Sequence, residues 1–189
     1  MNYRHAFHAG NFADVIKHIV LVRVLTYLHE KPSAFRVIDT HAGAGRYDLT
    51  GEEGQRSGEW RQGIARLLSA KLDAASAALI KPYLDIVRAH NPGPELTAYP
   101  GSPLIARALL RPQDRMTVCE LEPHAHRDLI ASLRRDAQAR VVKIDGWMAR
   151  DGSNHANARM VKRVSTGEVL GAASSGGQTL TGGAGNAAV

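Results

Sequence analysis

Residues 34–47, AFRVIDTHAGAGRY, constrain this chain more than any other stretch. Phe35, Val37 and Ile38 read as a short buried strand, Asp39 ends it, and His41-Ala42-Gly43-Ala44-Gly45 turns out of it. A residue without a Cβ lets the backbone turn sharply and come close to a bound nucleotide. A strand, an acid and G-x-G in succession predict an α/β sheet with a nucleotide cofactor lying across the carboxyl edge of its strands. The dinucleotide fingerprint asks for a third glycine three residues on, where this chain has Asp48. S-adenosylmethionine (SAM) has no phosphate to cradle, so a two-glycine loop behind an acid suits it better. The same G-x-G also serves as a tight strand-to-helix turn with no ligand at all.

A chain of 189 residues buries a real core, and a single α/β domain is the natural expectation. With 44% hydrophobic and 22% charged residues it reads as an ordinary soluble protein. The apolar run at 19–22 is far too short to span a bilayer and the N-terminus lacks a signal-peptide core, which predicts a cytoplasmic protein with no membrane partner. A single cysteine, Cys119, excludes an internal disulfide and a Cys-rich zinc site. The net charge of +6 and pI near 9.8 suit an anionic partner such as RNA, and serve solubility equally well.

The first eighteen residues are dense in groups that hydrogen-bond or stack (Tyr3, Arg4, His5, His8, Asn11, Lys17, His18), which predicts a terminus held against something. Asn11 and Asp14 read as a helix N-cap with an acid at N3, and Val15, Ile16, Ile19, Val20 and Leu25 continue at helical spacing over 12–29. Lys17 and His18 stand about 100° apart around that helix, one toward a ligand and the other flanking it. The alternative is a His-Lys pair solvating a helix end.

Beyond the central loop, 48–58 is polar and glycine-rich and reads as a loop. Two apolar stripes, Trp60-Ile64-Leu67-Leu68 and Leu72-Leu79-Ile80-Leu84-Val87, predict a helical insertion over about 50–95, with Pro82 starting or kinking the last turns. Residues 96–99 read as a short strand. Ser102 before Pro103 reads as an N-cap with proline at N1, opening a helix over 104–110, and a cofactor contact by the same hydroxyl is compatible with that. Residues 116–119 predict a second sheet strand ending in Glu120, where an acid takes the ribose hydroxyls of a nucleoside cofactor. That acid normally follows the loop by about 20 residues. Here it follows Gly45 by 75, and the helical insertion accounts for the excess. A helix over 123–135 and a third strand over 140–144 then deliver Asp145-Gly146, placed to accept from an adenine amino group.

The strings YRHAFHAGNFADVIKH, DTHAGAGRYDL, GIARLL, YPGSPLIARALL, CELEP and RVVKIDG, in this order, closely resemble the RlmJ family of bacterial 23S rRNA adenine-N6-methyltransferases over residues 1 to about 149. The resemblance implies a Rossmann-like SAM-dependent methyltransferase fold with an inserted helical subdomain. It implies SAM as cofactor, 23S rRNA as partner and methylation of one adenine, with no metal required; a monomer is the separate expectation. It assigns cofactor contacts to His18, His41, Ser102, Glu120, Asp145 and Gly146, beside Gly43 and Gly45 of the loop. Tyr3, His5 and Lys17 match positions that the family uses near its RNA substrate.

The adenine amino nitrogen is a poor nucleophile because its lone pair is delocalised into the ring. Amino-methyltransferases meet this with a D/N-P-P-Y/F loop that accepts from the amino group and stacks on an extruded base, after which the methyl passes in line. The family continues beyond 148 into a strand bearing that motif, whereas this sequence contains no Pro-Pro dipeptide, which leaves the catalytic acceptor without a residue. Residues 150–189 hold 8 of the 18 glycines and no aromatic or proline, which predicts a disordered Gly/Ser-rich tail unrelated to the family. The expectation is therefore a truncated or frameshifted chain whose sheet is incomplete, with Val37, Ile38, Val141 and Val142 on a raw edge and with doubtful activity. The alternative is a catalytically inactive SAM- or RNA-binding fragment. The pairs His5/His8 and His124/His126 read as surface histidines rather than metal ligands.

Overall fold

The computed structural model describes residues 5–134 and 136–147, together with the backbone of 159–162 and 170–172. β1 (Phe35–Asp39) is the middle strand of a five-stranded sheet. β4 (Arg115–Cys119) and then β5 (Ala139–Val142) lie on one side of it, β6 (Arg159–Lys162) and then β7 (Leu170–Ala172) on the other. All neighbours are parallel except β7, which runs antiparallel to β6. Phe35, Val37, Ile38, Met116 and Val118 are buried, as strands inside a parallel sheet are on both faces. Register places Asp39 opposite Val118, and Cys119 opposite Val142. The residues that follow β1, β4 and β5 therefore leave the sheet along one carboxyl edge.

Two pieces of the stretch expected to add nothing to the sheet thus form strands, and β1 is not at an edge. The reason is that an open strand side offers main-chain N–H and C=O groups, which pair with backbone of almost any composition. Val37 and Ile38 are accordingly buried, while Val141 and Val142 lie on the edge strand β5 and are half-buried.

α1 (Phe12–His29) is the helix expected over 12–29. Asn11 caps it by accepting from the Asp14 N–H at 2.9 Å, and Val15, Leu21, Val22 and Leu25 form its buried face. The insertion holds more structure than two stripes suggested. Its elements are α2 (Glu52–Ser57) within the stretch read as a loop, a 3₁₀ turn at Glu59–Arg61, α3 (Ile64–Ser69) and α4 (Ala74–Ala89) with Pro82 inside it. β2 (Arg46–Asp48) and β3 (Ala98–Pro100) pair antiparallel at its base, Tyr47 opposite Tyr99. Asn91 secures the exit by accepting from the Thr97 and Ala98 amides at 2.9 and 2.8 Å while donating to the Val87 and Ala98 carbonyls.

α5 (Ser102–Ala108) begins two residues before the expected 104, so Gly101 and not Ser102 is its N-cap. The Ser102 hydroxyl instead donates to the Asp39 carboxylate. α6 (Pro123–Ser132) is capped by Glu122, which accepts from the Ala125 amide at 2.6 Å. At the amino edge Asp114, fully buried, accepts from the Phe35 amide and from Arg111, whose guanidinium also donates to the Lys31 and Ser33 carbonyls. That clamp sets β1 and β4 side by side. Among the described residues no helix is long and apolar enough to cross a membrane.

Candidate cofactor and substrate site

The Gly-rich loop leaves β1 and crosses the end of β4. The Ala42 amide donates to the Cys119 carbonyl at 2.9 Å, and the Gly43 amide donates to Glu120 Oε2 at 2.8 Å. The Glu122 amide donates to Glu120 Oε1 at 2.8 Å, so each carboxylate oxygen is held by one amide and keeps acceptor capacity for a further donor. Gly43 has φ +65°, and a Cβ there would lie 2.1 Å from the Tyr47 hydroxyl. Only glycine fits that approach. The Ala44 amide donates to the same hydroxyl at 3.2 Å, the Gly101 amide donates to the Gly45 carbonyl at 2.7 Å, and Ser132 Oγ donates to the Ala44 carbonyl at 3.2 Å.

Asp39, at the end of β1, is buried and accepts from Ser102 Oγ at 2.5 Å and from the His41 amide at 3.2 Å. Burial pushes its carboxyl above the usual range, against the opposing pull of those two bonds. It therefore organises the edge rather than standing free at it. The His41 ring is exposed, with Thr40 Oγ1 3.0 Å from its Nδ1 and Trp147 edge-on at 6.2 Å between centroids. Asp145 accepts from the Trp147 amide at 2.9 Å. Gly146 passes so close to β1 that a Cβ on it would sit 1.9 Å from the Thr40 carbonyl oxygen. His41, Gly43, Gly45, Ser102, Glu120, Asp145 and Gly146 are thus joined through contacts at one sheet edge. Cys119 beside them is buried, and burial followed by the Asp39 and Glu120 carboxylates raises its thiol pKa, so it serves as core.

His18 arrives from α1. It is 4% exposed, stacks on Tyr99 with centroids 5.5 Å apart, and shares a 2.8 Å hydrogen bond between its Nδ1 and the Tyr99 hydroxyl. Burial lowers its pKa to about 4 despite the Asp14 carboxylate, which keeps the ring neutral near pH 7.

His5 and Lys17 meet on an acid whose spacing marks it only as part of a helix cap. Asp14 is 2% exposed, with Oδ2 2.9 Å from His5 Nε2, Oδ1 3.0 Å from Lys17 Nζ, and the Gly10 amide donating at 3.1 Å. Burial would raise its pKa, but the His5 bond and the charges of His5, His18 and Lys17 outweigh that and hold it well below the usual carboxylate range. The His5 ring meets Tyr47 edge-on at 5.2 Å, which connects this cluster to the Gly-rich loop. Glu59 of the insertion binds His8 Nδ1 and the Asn11 side-chain amide, each at 3.0 Å, and so holds the N-terminal segment from the other side. Tyr3 lies outside the described residues. Asp14, Glu59, Tyr47, Tyr83 and Tyr99 were not among the site residues expected from sequence. The one local signal for the first two was a histidine-rich terminus that needs acceptors.

The residues fit a nucleoside cofactor: an anchored acceptor carboxylate for a diol, a loop that only glycine can line, and a second acid after β5. A family model described as "Ribosomal RNA large subunit methyltransferase D, RlmJ" matches residues 32–162, a range that includes β6. The chain is 45% identical over 152 residues to Ribosomal RNA large subunit methyltransferase J of Escherichia coli (strain K12), covering 78% of this chain and 51% of that protein. It is 46% identical over 124 residues to the Haemophilus influenzae protein of the same name, covering 65% and 43%. The crystal structure of a Legionella pneumophila protein of the DUF519 family superposes with a TM-score of 0.63 at 36% identity, over 74% of this chain and 50% of that one. The chain spans about half the length of the curated relatives it matches.

Proposed function

The chain belongs to the RlmJ family of ribosomal RNA large subunit methyltransferases, and from that premise we propose that it binds SAM across the carboxyl ends of β1 and β4 for N6-methylation of an adenine in 23S rRNA. The observation that carries this reading is the Glu120 carboxylate, fixed by the Gly43 and Glu122 amides with one acceptor direction left on each oxygen. Two ribose hydroxyls require such a pair. Asp145 and Gly146 take the adenine end, while His41, Ser102 and His18 bound the remainder, with residues 1–149 as the cofactor-binding unit. When bound, SAM supplies an electrophilic methyl on its sulfonium. The residues of this chain bind and orient, which is the larger part of what an in-line transfer needs. His5 and Lys17, gathered on Asp14, are assigned to the RNA together with Tyr3. The protein acts as a cytoplasmic monomer.

Calorimetric titration of the chain with SAM, alongside Glu120→Ala, tests the cofactor half. Saturable binding that weakens at least tenfold in the variant is expected, and equal binding by both overturns the assignment of Glu120. Transfer of labelled methyl from SAM to 23S rRNA transcripts, read as N6-methyladenine, tests the rest. SAM binding without any transfer would assign the chain the binding role alone.

A further inference from the structure

A buried row of three polar groups crosses from the insertion to α1. The Tyr83 and Tyr99 hydroxyls are 2.9 Å apart, and the Tyr99 hydroxyl is 2.8 Å from His18 Nδ1. Both tyrosines are fully buried. Among the described residues Tyr83 Oη has Tyr99 as its hydrogen-bond partner, and Tyr99 Oη has Tyr83 and His18.

The row has two contacts, and each contact takes one hydrogen. If His18 carries its proton on Nε2, the row contains two hydrogens, one on each hydroxyl, and both are used: Tyr83 donates to Tyr99, and Tyr99 donates to Nδ1. If His18 carries a proton on Nδ1, the row contains three hydrogens for two contacts. One buried tyrosine O–H then has no acceptor among the described residues, whichever way the hydroxyls are turned. Buried donors left unmade are rarer and costlier than spare lone pairs on an oxygen that already donates. The same count disfavours the imidazolium, which is protonated at both nitrogens.

We propose that Tyr83 and Tyr99 are positioning residues that fix His18 as a single neutral tautomer with its proton on Nε2. Resting on the cofactor reading above, His18 then meets SAM as a hydrogen-bond donor, facing one of its oxygen or nitrogen acceptors and not its ammonium or sulfonium. Tyr99 acts on the ligand only through His18, and Tyr83 acts by turning the Tyr99 proton toward the ring. The burial that keeps His18 neutral works in the same direction.

The test is a long-range ¹H–¹⁵N correlation spectrum of the whole ¹⁵N-histidine-labelled chain, with His18 assigned by the signals lost in His18→Asn. The expected pattern is an unprotonated Nδ1 and a protonated Nε2 with no averaging between them from pH 6 to pH 8. A protonated Nδ1, or two nitrogens averaged by exchange, overturns the proposal, and this measurement needs no tyrosine variant to fold. In Tyr99→Phe the two nitrogen shifts should move toward each other, and SAM affinity should fall by about tenfold. Because the tautomer is read without ligand, the two readings fail separately. An Nε2–H ring in a chain that binds no SAM overturns the cofactor assignment and leaves the tyrosine row standing, whereas an Nδ1–H ring with normal SAM binding overturns the row alone.

Discussion

Ser102 donates its hydroxyl to Asp39 at 2.5 Å, so the helix that follows the insertion is bonded to the strand that precedes it. The bond favours the ionised form of a carboxyl that burial pushes toward the neutral one. Ser102→Ala should therefore cost about 1.5 to 3 kcal/mol, as for a hydrogen bond to a charged group. The folded pKa of Asp39 is raised, so its burden on the fold grows as pH rises past the ordinary value of 3.8, and losing Ser102 enlarges that burden. Urea unfolding of both proteins should show a larger difference at pH 7.5 than at pH 4. Equal differences would mean that Asp39 is not ionised in the folded protein.

Gly43→Ala places a methyl group 2.1 Å from the Tyr47 hydroxyl at a φ that side chains rarely adopt. The loop must then shift away from Glu120. SAM affinity should drop by more than tenfold, while the cooperativity of thermal unfolding is retained because the loop lies at the edge of the core. Calorimetry and a melting curve on the same sample check both halves of this expectation.

Asp14 is the partner shared by His5, Lys17 and the Gly10 amide. Asp14→Ala takes this acceptor from the half-buried Lys17 ammonium and from the Gly10 amide, and should cost about 1 to 3 kcal/mol, as for a buried donor that loses its acceptor. Lys17→Ala leaves Asp14 still bonded to His5 and Gly10, and should cost less. On the proposed function, Lys17→Ala lowers methyl transfer to RNA and leaves SAM binding within a few fold. A proportional loss of both would move Lys17 to the cofactor.

His18 has a folded pKa of about 4 against an ordinary 6.5. Between those values the unfolded chain binds the proton more readily, so this stability is fully present above pH 6.5 and is lost as pH falls toward 4. The size is on the order of 3 kcal/mol. Asp39 opposes it, since its burden is relieved at low pH. His18→Asn, which can still accept from Tyr99, should flatten the rise of unfolding free energy from pH 4 to pH 6.5. An unchanged slope would show that another group governs this range.

The strands and helices read most directly from sequence were those with a local period or a local cap. β1, α1 and β4 show this, and the expected limits of α1 match the observed ones. Of the residues joined at the carboxyl edge, Gly43, Gly45, Glu120 and Asp145 were legible as glycine and acid at strand ends, whereas His41, Ser102 and Gly146 came with the resemblance to a family. What was missed depends on contacts between residues far apart in the chain. His18 and Tyr99 are 81 residues apart, and Asp39 and Ser102 are 63 apart, and neither distance leaves a trace in spacing. Asp14 was visible but misjudged, since an acid at N3 normally serves its own helix, and only the fold brings His5 back onto it. β6 and β7 were missed because composition describes side chains, whereas pairing beside β1 is made by backbone.

The chain enters and leaves the helical insertion through a single doorway: Asp48 stands opposite Ala98, and the Leu49 amide donates to the Thr97 carbonyl at 2.8 Å. Closing such a gate costs little more for a long excursion than for a short one. What lies behind it can therefore lengthen or shorten without moving the carboxyl edge of the sheet. Yet the excursion also carries Glu59, which grips the N-terminal segment, and Tyr83, which begins the row leading to His18. A deletion that spared the sheet would still remove the Glu59 hold on the terminus and the Tyr83 end of the row, so the insertion is separable as topology and inseparable as chemistry.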